Sequence, residues 1–169
     1  MAKVLMVIAP RAFRDEELFE TRNELQKCGH EITLASTQTA PCNGMMGGVA
    51  KPDILLERAN SADYDAVVFV GGSGTPVLYE NKDAHRIATE MHTEGKLVSA
   101  ICLAPVILAK AGMLENRKAT VFYSAQHLIK EHGAEYTAEP VTVDGRIVTG
   151  NGPAAATTFG QALCEQLAK

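Results

Sequence analysis

Tryptophan is absent from this 169-residue sequence, aromatic residues make up 5% of it, and the formal net charge is −4. That composition offers no basic surface for nucleic acid. Long apolar runs are also missing. The run at the start lies behind a single Lys3 and is broken at once by Pro10 and Arg11. It reads as a strand rather than a signal peptide or membrane span. The four cysteines, Cys28, Cys42, Cys102 and Cys164, show no C-x-x-C or paired spacing, which argues against a zinc site or other metal site and against a disulfide framework. Free thiols imply a reducing cytoplasm. Cys28 and Cys164 fall in amphipathic helical patterns and are expected in the core, whereas Cys42, in a Pro- and Gly-flanked segment, is expected to be more exposed. Repeats, low-complexity tracts and linkers are lacking.

What is present is enough apolar residue, 46%, to bury a full core, so residues 1–169 are expected to form one domain. Strands at 3–9, 31–35, 65–70 and 97–101 alternate with helices at 15–27, 83–94 and 103–111. This order predicts an α/β fold, a doubly wound, flavodoxin-like and mainly parallel sheet with helices on both faces. Residues 38–57, with NGMMGG, suggest a small hairpin excursion. A strand at 118–121 and a helix near 124–132 follow. Asp144-Gly145 then marks a second hairpin turn, and Gly152-Pro153 introduces a closing helix to Leu167.

The chemistry points to KLVSAICLAPVILAKAG, residues 96–112, where a short apolar strand runs into Cys102 and a small-residue helix starts behind it. A residue wedged between strand and helix sits on a sharp turn with its side chain pushed out of the sheet, as at catalytic nucleophiles. The free N–H groups of the next helix would favour a thiolate, with an apparent pKa below the ~8.5 of a free thiol. In DAVVFVGGSGTP a strand stops at Gly71 and Gly72. If it lies beside the Cys102 strand, the N–H groups of Gly72 and Leu103 could converge near the sulfur as an oxyanion hole. Glu16 and Glu17 open a helix at the carboxyl end of the first strand. Glu17, Gly72 and Cys102 thus all fall at the strand ends where open α/β sheets bind ligands.

The segments FRDEEL, VFVGGSG and SAICLAP, in this order and spacing, resemble the ThiJ/PfpI superfamily, which includes the PfpI-type intracellular proteases and the branch of the Parkinson-disease-associated protein. The resemblance continues through KATVF, GAEYTAEPVTVDGRIVTGNGP and the last helix. It implies that Cys102 is the elbow cysteine, that Glu17 hydrogen-bonds it, and that Gly72 and Leu103 supply the oxyanion-hole backbone. It also implies a dimer or larger homo-oligomer. The sequence departs from the family pattern at several points. Leu103 stands where peptidase members have a histidine, and Gly74-Thr75-Pro76 stands where they have a glutamate. Phe122 replaces a histidine of the other branch, and Asn151 replaces an arginine before Gly-Pro. Gly71, Phe122, Asn151 and His127 are the pocket candidates, and the departures leave no Cys-His dyad at the expected places.

A thiolate and a carboxylate a hydrogen bond apart repel, so Cys102 and Glu17 should share one proton. Of the five histidines, His30 reads as a turn residue and His85 and His92 as solvent-facing. His127 is the best candidate to lean toward the pocket. Two function classes fit. One is a cysteine-dependent enzyme acting on a small electrophile, through a thiohemiacetal with a glyoxal or hydrolysis of a small amide or ester. The other is a redox-responsive or chaperone-like stress protein in which Cys102 becomes a sulfinate. The PfpI-type peptidase reading is disfavoured by Leu103. An amidotransferase needs a histidine and an acid that GNGPAA does not offer. A flavodoxin-type phosphate site would meet the acidic residues of PRAFRDEE, so no cofactor is expected.

Overall fold

Strands β1 (Lys3–Val7), β7 (Ala66–Phe69), β8 (Leu97–Ile101) and β12 (Ile147–Gly150) are apolar along almost their whole length, as strands covered on both faces must be. In the computed structural model, which describes residues 1–169, they form the centre of a seven-stranded sheet. Its order is β11-β12-β8-β7-β1-β3-β6, with β3 (Glu31–Ser36), β6 (Ile54–Leu55) and β11 (Val141–Asp144) completing it. All neighbours are parallel except β11 and β12, which are joined through the turn at Gly145 with φ +60°.

The pleat sorts the core into two layers. Leu5, Val7, Val67 and Phe69 face the side covered by α2 (Lys82–Thr93), α3 (Pro105–Lys110) and α4 (Gln126–Glu131). Val4, Met6, Ile8 and Val68 face α1 (Asp15–Lys27) and α5 (Ala156–Leu167), against Leu18, Leu25, Phe159 and Leu163. Each fully buried side chain of this size stabilises by roughly 1.5–3 kcal/mol relative to exposure. Helix α2 starts where it does because Asn81 Oδ1 accepts from the N–H groups of Asp83 and Ala84 at 3.0 and 2.9 Å. Helices α1 and α5 approach closely at Gly160, where an added Cβ would lie 2.8 Å from Glu24 Cβ.

The excursion after β3 is the expected hairpin, β4 (Cys42–Gly44) against β5 (Val49–Ala50). It gains a third strand, β2 (Arg11–Phe13), which pairs with β4. The Asp15 carboxylate fixes its tip by accepting from Met46 and Gly48 N–H at 2.8 and 2.7 Å. The loop after β1 and the tip of this hairpin are therefore one unit.

Several expectations change. The strand expected at 118–121 is only β9 (Lys118–Ala119), and it pairs with β10 (Glu135–Tyr136) outside the main sheet. Beyond it the Thr120 N–H donates to the Thr149 side chain at 2.9 Å, not to a backbone carbonyl. Helix α3 starts at Pro105 rather than 103, after a tight turn in which Ala104 N–H bonds Ile101 O at 3.0 Å. Cys28 and Cys164 are not free thiols but a disulfide between the end of α1 and α5. Two helices side by side on one sheet face bring together residues 136 apart, which local spacing cannot reveal. Cys28 is exposed, and Cys164 half-buried, rather than core. Cys42 is fully buried rather than exposed, because β4 turns it toward Phe13 and Leu18. With two of the four thiols paired, the thiol argument for a reducing compartment lapses. No helix is long and apolar enough to cross a membrane.

Candidate active site

Strand β8 ends at Ile101, and the chain then turns so sharply that Cys102 takes φ +65°, a conformation costly for a residue with a Cβ. Two hydrogen bonds hold it there. Cys102 N–H donates to Gly150 O at 2.9 Å, and Phe122 N–H donates to Cys102 O at 2.8 Å. The expected elbow is present, and its sulfur-bearing residue remains 6% exposed.

Beside it, β7 ends in Gly71 and Gly72. A Cβ on Gly71 would lie 2.5 Å from Cys102 Cβ and 2.6 Å from Glu17 Oε1, so the missing side chain of this glycine leaves the space in which the two side chains approach each other. Gly72 has φ +127°, and a Cβ there would press on Ala12 O and the Phe13 and Arg14 backbone. The loop is locked to the first loop by Arg14 N–H to Gly71 O at 2.8 Å and Gly74 N–H to Ala12 O at 3.0 Å. The N–H groups of Gly72 and Leu103 donate to no backbone carbonyl. Both lie close enough to Cys102 to favour its negative form. This is the convergence that the two motifs suggested.

Glu17, in the first turn of α1, has no exposed surface. Neither carboxyl oxygen has a hydrogen-bond partner by strict geometry, although Cys102 and the Gly71 backbone lie close enough to influence it. Burial pushes its pKa up to about 8, against smaller opposing effects of Cys102, the Gly71 backbone and Arg14. Glu17 is therefore mostly protonated at neutral pH.

The Cys102 thiol is also pushed upward, first by burial and then by the Glu17 charge and hydrogen bond, with Gly72 and Leu103 opposing. The expectation of a depressed thiol relied on a helix starting at once behind it, and that helix is short and delayed to Pro105. Protonating Glu17 removes the charge that disfavours the thiolate. The two groups consequently titrate as a pair.

Above the sulfur lies a cavity of about 160 Å³, floored by Cys102, Gly72 and Leu103 and walled by Arg14, Met45 and Phe122, with Ser73, Ser124 and Pro153 completing it. Asn151 lines an adjoining cavity of about 300 Å³ that shares Phe122. The expected His127 is exposed on α4 and lines neither cavity, because α4 begins only after a further turn at residues 123–125. His85 and His92 are half-buried rather than solvent-facing, and His85 Nε2 bonds Tyr79 O at 2.7 Å. A larger cavity, about 340 Å³, lies beside His30, Asp65 and Arg146 and is lined by no cysteine, serine or threonine. No group of three His, Cys, Asp or Glu side chains is placed to hold a metal ion.

Sequence reasoning missed Arg14, Met45, Ser73, Ser124 and Pro153. Arg14 had a signal, since it directly precedes the helix carrying Glu17 at the end of the first strand. Met45 had none, because only the Asp15 tether brings its loop to the site.

The sequence and the fold recur in known proteins. Residues 2–166 match the family model described as the DJ-1/PfpI family. The chain is 40% identical to an uncharacterised protein of Methanocaldococcus jannaschii, over 99% of this chain and 83% of that one. It is 35% identical to a deglycase of Pyrococcus horikoshii, over 90% of this chain and 91% of that one. The crystal structure of a ThiJ/PfpI domain protein from Brachyspira murdochii superimposes with a TM-score of 0.96 at 31% identity, covering 98% of this chain and 95% of that one. The α/β fold with its mainly parallel sheet is thus shared with this family, and the chain belongs to the DJ-1/PfpI family.

Proposed function

We propose that Cys102 and Glu17 form the catalytic pair of a cysteine-dependent enzyme acting on small carbonyl electrophiles, of the glyoxalase or deglycase type. One observation carries this reading. A cysteine held at φ +65° sits above a buried, protonated carboxyl group, with two unused N–H groups beside it. The similarity to a deglycase supports the same chemistry.

The sulfur adds to an aldehyde carbon, and the carbonyl π pair moves to oxygen, where the N–H groups of Gly72 and Leu103 stabilise it. Glu17 gives its own proton to that oxygen and takes the thiol proton in exchange, giving a thiohemiacetal. With a glyoxal, a proton then moves from this carbon to the neighbouring carbonyl carbon. Water displaces the sulfur from the resulting thioester and yields a 2-hydroxy acid. None of these steps expels an amine. Peptide hydrolysis does, and neither Leu103 nor the exposed His127 can protonate one. A homo-oligomer is the accompanying expectation, supported by the exposed apolar Met45, Met46 and Tyr123 near the cavity.

The test is 2-hydroxy acid formation from a 2-oxoaldehyde. Cys102→Ala should abolish it, and Glu17→Gln should lower kcat by about a hundredfold, within the range for a lost acid-base group. Turnover that persists in Cys102→Ala would remove the proposal.

A further inference from the structure

We propose that Arg14 is the specificity-determining cation of the Cys102 cavity and selects small carbonyl compounds that carry a carboxylate. The inference rests on the reading that Cys102 attacks a carbonyl, and it adds the substrate class. Apart from Cys102, Arg14 is the sole ionisable side chain among the residues that line this cavity. Glu17 has no exposed surface and is mostly protonated, so it adds no negative charge to the cavity. An anion entering the cavity therefore meets one cationic side chain, which Glu16 pairs along one edge only.

The guanidinium is held in place. Its residue is fixed by the backbone bond to Gly71 O, and its Nε and Nη2 donate to Glu16 at 3.0 and 2.9 Å. That pair occupies one edge of the fork and leaves Nη1 with no protein acceptor. The Ser73 and Ser124 hydroxyls, on the same cavity wall, also make no hydrogen bond within the protein. Unused donors beside a fixed cation suit a planar carboxylate, which guanidinium groups bind through paired N–H bonds. Side-chain order is already established by Glu16, so binding costs little further rotamer freedom.

Size narrows the class. A cavity of about 160 Å³ has room for a molecule of only a few heavy atoms. A two-carbon aldehyde acid such as glyoxylate fits this description. Its aldehyde carbon would bond to Cys102 Sγ, the carbonyl oxygen would take the proton, and the carboxylate would remain unchanged against Arg14.

Paired alkylating reagents test the inference without requiring turnover. Iodoacetate and iodoacetamide each form the same S–C bond with loss of iodide, but only the first is anionic. Because both attack the same thiolate, their rate ratio is insensitive to the thiol pKa. Modification of Cys102, followed by mass spectrometry, should show an iodoacetate-to-iodoacetamide ratio about tenfold above that of glutathione, the ratio expected of a charge-steered site. Arg14→Gln should return the ratio to the glutathione value, Arg14→Lys should retain part of the preference, and Glu16→Gln should not reduce it. A ratio equal in wild type and Arg14→Gln overturns the proposal. In a second arm, glyoxylate, which forms a reversible thiohemiacetal but has no second carbonyl to carry the reaction on, should inhibit glyoxal turnover competitively, with a Ki that rises about tenfold in Arg14→Gln. Absence of all aldehyde turnover together with an Arg14-dependent alkylation ratio would reject the carbonyl enzyme yet uphold the anion site. Robust turnover with a ratio indifferent to Arg14 would do the reverse.

Discussion

Glu17 and Cys102 approach each other where Gly71 has no side chain, one of them fully buried and the other 6% exposed. Neither group ionises easily there. Burial raises both, and ionising Glu17 makes ionising Cys102 harder still. The site therefore stores a proton at neutral pH and has a carboxyl group able to release it near pH 8.

That stored proton has a stability consequence. Glu17 shifts from an ordinary value of 4.5 in the unfolded chain to about 8 in the folded one, so the native state binds the extra proton between these limits. The contribution is fully present below pH 4.5 and is lost as pH rises through about 8. Across this window wild-type stability should fall relative to Glu17→Gln by on the order of a few kcal/mol. Chemical denaturation at several pH values measures the difference, and parallel pH curves for the two proteins would rule out a raised Glu17.

Gly71 offers a purely steric test. Its φ is not positive, so alanine meets no backbone penalty, yet its Cβ would lie 2.5 Å from both Cys102 Cβ and Ile101 O. Gly71→Ala should cost about 1–3 kcal/mol of stability through overpacking. It should also reduce carbonyl turnover about a hundredfold, because a 1 Å displacement of a reacting group has that effect. A thermal melt and a kcat measurement check both outcomes. Near wild-type activity would show that Glu17 and Cys102 need not approach so closely.

Much of this site was legible because its parts are local. The turn at Cys102, the glycine pair and the acidic first turn of α1 each follow a strand, and parallel strands bring their carboxyl ends to one edge. Arg14 lies in the same first loop, but its role depends on which side of the fork Glu16 occupies. Cys28 and Cys164 were misread for a different reason. Their pairing is set by two helices packed on one sheet face, with 136 residues of chain between them. Cys42 was misread because the Pro and Gly residues around it suggested a surface loop, whereas the Asp15 tether pulls the hairpin inward.

The disulfide predicts a redox-dependent melting point. Closing so long a loop restricts the unfolded chain, a contribution of about 2–5 kcal/mol. Reduction by a dithiol should lower the melting temperature of the wild type by roughly 5–15 °C for a chain of this size. Cys28→Ser should melt at the reduced value with or without the reductant. Titration of four free thiols in the oxidised, denatured protein would dispose of the bond.

Oxidation tests the groups around the sulfur together. In peroxide, Cys102 should stop at the sulfinate, whose oxygens accept from the Gly72 and Leu103 N–H groups and from the Glu17 proton. Glu17→Gln keeps a donor and should still accumulate the sulfinate. Glu17→Ala loses it, and its products should shift toward thiol and sulfenate. Cys42 is fully buried and serves as an internal control that should remain unmodified under the same treatment. Intact mass and peptide mapping distinguish these products. The same product distribution in wild type, Glu17→Gln and Glu17→Ala would mean that Glu17 does not hydrogen-bond the oxidised sulfur, and the shared proton would have to be placed elsewhere.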